Sequence, residues 1–143
     1  MKSCGDCGLC CRLMGVKSIG KAPLARCDHF LKGAGCGVYE DRPGECRAFV
    51  CQWLLKPELD DAWRPNRARF VLHLEADGQR LCVEADPDRP GAWRRAPYLA
   101  ALRDWAGRGA ARGLEVVVWE GRRGWRIGPA GETDLGHVRT EAA

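Results

Sequence analysis

Eight of the nine cysteines in this 143-residue chain fall within its first 51 residues, at Cys4, Cys7, Cys10, Cys11, Cys27, Cys36, Cys46 and Cys51. The first four form a C-x2-C-x2-C-C run. A segment so rich in thiols must either cross-link its sulfurs or gather them around metal. Met1-Lys2-Ser3-Cys4 begins no apolar signal-peptide core, and no stretch of the sequence approaches the roughly 18 apolar residues of a membrane span. A cytoplasmic chain is therefore expected. There thiols stay reduced, so metal ligation is the expected role of all eight and a disulfide framework is the lesser reading.

Cys4-Gly5-Asp6-Cys7-Gly8 has the outline of a metal knuckle, in which two cysteines grip one ion and Gly8 is expected to take the positive φ such turns often need. Adjacent side chains diverge, so Cys10 and Cys11 are not both expected to be terminal ligands of one ion. Eight thiols divide into two tetrahedral four-cysteine sites or one binuclear site with bridging sulfurs, and the spacing leaves both open. Zinc is the first expectation. Iron, alone or in an iron–sulfur cluster, is the alternative, because Cys4, Cys7 and Cys10 match the first three positions of the bacterial ferredoxin run. The fourth cysteine follows at once instead of after three residues, and no Cys-Pro is present.

The formal charge of +4 counts every cysteine as neutral. Eight thiolates holding two divalent ions would bring it close to zero, so basicity is no argument for nucleic acid. Lysine disappears after Lys56 while arginine continues, which reads as compositional bias. Metal ions are the expected partners, with a protein partner left open.

The expected fold class is α+β: an irregular cysteine-rich metal-binding lobe over 1–56, a linker over 57–67, a small β-β-α-β-β lobe over 68–128 and a polar tail over 129–143. Leu13 to Ala25 sustains no periodicity and reads as loop, while Val38 and Tyr39 suggest a short extended piece. Pro43 to Leu55 reads as a helix with Phe49, Val50, Trp53 and Leu54 on one stripe, closed by Lys56-Pro57. Arg69–Leu74 and Arg80–Ala85 read as strands joined through Asp77-Gly78. Pro97 opens a helix to about Ala111, with Tyr98, Leu99, Leu102 and Trp105 on one face and Gly113 ending it. Leu114–Trp119 and Gly124–Ile127 complete the strands of a sheet that packs one face on the helix.

With the cysteines laid out, the chain resembles the CxxCxxCC cysteine-cluster family, the YkgJ-type zinc- or iron-chelating domain. The resemblance rests on Cys4-x2-Cys7-x2-Cys10-Cys11, Cys27 with His29 nearby, Gly35-Cys36-Gly37-Val38-Tyr39, Arg42-Pro43, Cys46-Arg47 and Cys51. It covers about residues 4–55 and implies that the eight cysteines build a metal site. A related cluster occurs in the flagellin lysine methylase group. The resemblance thus points to a metal-binding, non-catalytic protein, with an iron–sulfur or iron-dependent enzyme or redox module, linked to protein modification, as the alternative.

Arg42 and Arg47 lie beside the thiols in sequence, where they can offset thiolate charge or donate hydrogen bonds to sulfur. His29 is a minor candidate ligand. His73 and His137 read as plain strand and tail residues, and Cys82 as a core thiol. Trp53, Trp105 and Trp119 fit apolar faces, while Trp63, Trp93 and Trp125 are left unassigned. The 15 large apolar side chains from Leu9 to Leu55 fall short of the cost of ordering the lobe's backbone, and a structural zinc supplies about 10–16 kcal/mol in small peptides. Chelation is therefore expected to unfold the first lobe, read by circular dichroism; an unchanged spectrum after demonstrated metal loss would contradict this.

Overall fold

Side chains that alternate about β-branched residues dictate the largest element, a five-stranded sheet. The computed structural model describes residues 7–14, 17–21, 27–31, 35–38, 41, 44 and 51–137. In chain order its elements are α1 (Leu9–Leu13), β1 (Phe30–Leu31), β2 (Gly35–Cys36), α2 (Gln52–Leu55), α3 (Pro65–Ala68), β3 (Phe70–Glu75), β4 (Arg80–Ala85), α4 (Tyr98–Gly109), β5 (Glu115–Glu120), β6 (Arg123–Ile127) and β7 (Glu132–Gly136). The fold is α+β, with β1 and β2 as a small hairpin and β3-β4-β5-β6-β7 as the main sheet. Neighbours in that sheet run antiparallel except β4 and β5, which are parallel. A parallel pair needs a long crossover, and α4 supplies it.

The 3.6-residue spacing of Tyr98, Leu102 and Ala106 gives α4 one apolar face. That face lies on Phe70, Leu72, Leu81, Val83, Val116, Val118 and Ile127, the residues that strand alternation sends to the same side of the sheet. Gly113, at φ +77°, ends the short 3-10 turn that follows α4. Tyr98 anchors the lower end: its hydroxyl donates to Ala62 O at 2.6 Å, and its ring meets Trp63 and Phe70 edge-on, with centroids 4.9 Å away in each case. Trp63 and Trp93 are buried in this core, and Trp53 joins it while its indole N–H donates to Asp60 O. Trp105 and Trp125 pack against it half-buried.

Several sequence expectations are corrected. The stretch at 57–67, expected as a linker, carries a 3-10 turn at Asp61–Trp63 and α3, and it sends Leu59 and Trp63 into the main core. Pro57 follows the end of α2 and Pro65 opens α3, while the two large apolar side chains between them turn inward. The helix expected from Pro43 to Leu55 is interrupted at Cys51, whose φ of −71° and ψ of 122° are extended; α2 begins only after it, and residues 45–50 lie outside the described residues. Lys56 ends α2 with extended angles, as a residue before proline should. The extended piece expected at Val38 and Tyr39 sits earlier, at Gly35–Cys36, while Gly37 and Val38 turn and Tyr39 lies outside the described residues.

The region expected as a polar tail contains β7, which pairs with β6 through a bulge between Gly124 and Trp125. Its sequence carries no alternating apolar signal because none of its residues is buried. Backbone pairing and ion pairs hold it, Arg123 to Asp134 and Arg94 to Glu132. The Arg123 guanidinium and the Gly136 N–H keep the Asp134 carboxyl below its ordinary range.

The second face of the sheet is also covered at the β3–β4 end. Val71, His73, Cys82, Glu84 and Val117 point away from α4 and are buried. Leu9 and Leu13 of α1 close over Val71, with Cys10, Met14 and Cys51 packed around them. Among the described residues no helix is long and apolar enough to cross a membrane.

Leu102 is fully buried whereas Leu74 is 45% exposed. Leu102→Ala is expected to lower stability by about 2–5 kcal/mol and Leu74→Ala to change it by no more than about 0.5 kcal/mol, measured by urea unfolding followed through tryptophan fluorescence.

Candidate metal centre

Gly8 follows the Cys4-x2-Cys7 pair, and its φ is −131°, an angle open to any residue. The positive φ expected of it is not what the position requires. A Cβ there would stand 1.9 Å from Phe30 Cε1, so glycine is needed because the aromatic ring lies directly on the backbone. Phe30 sits opposite Cys36 in the β1–β2 register, and its N–H donates to Cys27 O at 3.1 Å. Gly37 N–H closes the hairpin on His29 O at 2.7 Å. Phe30 thus stands between Cys27 and Cys36, its neighbours in the hairpin, and Gly8, which follows Cys7 some twenty residues earlier in the chain.

Cys10 and Cys51 converge elsewhere on the same segment. Both pack on the cluster of Leu9, Leu13 and Val71, which seats α1 on the sheet. Cys27 is buried; Cys7, Cys10, Cys36 and Cys51 are half-buried. Cys4, Cys46, Arg42, Arg47 and the side chain of Cys11 lie outside the described residues.

A second group of donors lies on the sheet. Alternation along β3 and β4 points His73, Glu75, Cys82 and Glu84 to the face opposite α4, with His73 paired directly across from Cys82. Their ligand-bearing atoms all lie within 4.8 Å of one another. His73 Nε2 is 2.9 Å from Glu84 Oε2 and 3.7 Å from Glu75 Oε1. His73 and Glu84 are buried, and Glu75 reaches the surface with 37% of its side chain exposed. Burial, followed by the charges of Glu75 and Glu84, drives the Cys82 thiol far above its ordinary range; the thiol also hydrogen-bonds to Glu75, while Arg80 pulls weakly the other way. From Glu75 a line of alternating charge crosses the sheet: Arg80 at 4.0 Å, then Glu115 at 3.0 Å from Arg80, then Arg126 at 3.5 Å from Glu115.

Cys82 is the buried thiol expected. His73 is on a strand as expected, but it is buried and bonded rather than a plain strand position. The signal that could have found it was the pairing of two alternating strands through Asp77-Gly78, which puts His73 and Glu75 beside Cys82 and Glu84. Trp119, expected in a core, is half-buried on this second face and lies across Gly124, where a Cβ would come within 2.4 Å of its ring. Compared with known proteins, the chain matches no family model, no curated protein sequence and no solved structure.

A hydrogen bond between a buried imidazole and a buried carboxylate contributes about 1.5–3 kcal/mol. His73→Ala is expected to lower stability by that amount in urea unfolding. Glu75→Ala, at a partly exposed ion pair, is expected to cost less than about 1 kcal/mol.

Proposed function

We propose that this chain is a metal-binding protein in which Cys4, Cys7, Cys10, Cys11, Cys27, Cys36, Cys46 and Cys51 hold zinc in a thiolate-built, non-catalytic site. The irregular cysteine-rich lobe is then built by its metal and seated on the β3 side of the α+β sheet, in a cytoplasmic protein. One observation carries the reading: the ring of Phe30 lies on Gly8, beside Cys7, while the backbone of Phe30 bonds to Cys27 O and pairs with Cys36. An all-sulfur donor set suits tetrahedral zinc, and the glycines beside Cys7 and Cys36 let the chain wrap closely there. When bound, the metal would supply cross-links between these segments. Charge donors from Arg42 and Arg47 belong to the same proposal.

A second reading, an iron–sulfur or iron-dependent redox module, draws on the Cys4, Cys7 and Cys10 spacing. Purification without oxygen, elemental analysis and a visible spectrum separate the two. Zinc in a colourless protein, bound in smaller amount by Cys36→Ser, is the expected result. Iron with visible absorption favours the second reading, and a metal-free protein with its thiols paired as disulfides under reducing conditions removes both.

A further inference from the structure

A thiolate cluster in the first lobe gives no reason for a buried sheet face to carry a histidine, a cysteine and two glutamates. These four side chains come from two paired strands, so the hairpin register fixes their donors before any ligand arrives. Nitrogen and oxygen ligands at about 2.0–2.2 Å from a tetrahedral ion stand roughly 3.3–3.6 Å from each other. The separations of 2.9 Å and 3.7 Å from His73 Nε2 to the two carboxylates bracket that range, and Cys82 Sγ completes a set lying within 4.8 Å.

We infer that His73, Glu75, Cys82 and Glu84 bind one divalent cation of the zinc class, at a site distinct from the eight N-terminal cysteines. A nitrogen, a sulfur and two carboxylate oxygens form a mixed donor set that suits a borderline ion better than calcium or magnesium, which favour oxygen alone. The two carboxylates share one largely buried face, with Arg80 at 4.0 Å from the outer one. A divalent ion at the centre neutralises both at once. Glu75, partly exposed, marks the path of entry, while Val71, opposite Glu84 in the register, roofs the inner side beneath Leu9 and Leu13.

The site does not depend on the thiolate reading, and the experiment keeps the two apart. Full-length wild-type, Glu84→Gln, Cys82→Ala and Cys36→Ser chains are dialysed to equilibrium against micromolar zinc(II) and their bound metal is counted, with circular dichroism checking that each is folded. Glu84→Gln should hold about one ion per chain fewer than wild type. Cys82→Ala, a small change that spares the fold if Glu84→Gln does not, should weaken zinc binding at that ion about ten-fold or more. Cys36→Ser should leave this ion in place, and cobalt(II) titration should still show the band of a site with a single sulfur ligand, absent in Cys82→Ala. Equal metal content and equal zinc affinity in wild type and Cys82→Ala would overturn the site and show that His73 and Glu84 form only a hydrogen-bonded pair.

Discussion

The register of the β3–β4 hairpin is the constraint on which the rest of the molecule depends. Phe70 opposite Ala85 and Leu72 opposite Val83 commit one face to α4, while Val71 opposite Glu84 and His73 opposite Cys82 commit the other to the N-terminal segment. A shift by one residue would exchange the two sets, putting a histidine and a glutamate into the aliphatic core and turning Val71 away from α1. Because both faces are claimed, neither is free to drift. The hairpin is also the place where the two parts of the chain meet.

Around that hairpin, aromatic contacts do what a continuous helix would do in a larger protein. Trp63 stands edge-on to Phe70 and Tyr98, and the Tyr98 hydroxyl reaches back to Ala62, so the segment after α2, the start of β3 and the start of α4 share one set of rings. At the other end, Glu120 accepts hydrogen bonds from Gly91 N–H and Trp93 Nε1, both at 2.8 Å, and so holds the loop before α4 to the end of β5. Arg94 stacks over Trp93 at 4.1 Å. The sheet is thus tied to its connections by a few directional contacts between large residues.

The parts legible in the sequence were those where burial is one-sided and periodic. The alternation through β3, β4, β5 and β6 and the helical spacing of Tyr98, Leu102 and Ala106 gave strands and helix close to their observed limits. Strand β7 was illegible because an outer strand held by backbone bonds and surface charge needs no apolar pattern. The inward packing of Leu59 and Trp63 was hidden by the prolines and charges around them. At the thiols, residue type suggested a chemistry, but the reason for Gly8 lay in Phe30, a residue distant in sequence. The His73 group was hidden differently: each member is ordinary on its own strand, and only the pairing brings four donors to one place.

The two borders of the main sheet are finished by opposite means. Along β3, short helices and the N-terminal segment pack on the strand, whereas β7, bordered by β6 alone among the described strands, is polar, with Glu132 and Asp134 clasped by arginines from neighbouring elements. An unshielded outer strand invites recruitment of a second copy, and fixed charges oppose it. High ionic strength weakens those clasps far more than it weakens the aromatic interior, so self-association through this border is the route by which concentrated salt would first make the protein sticky.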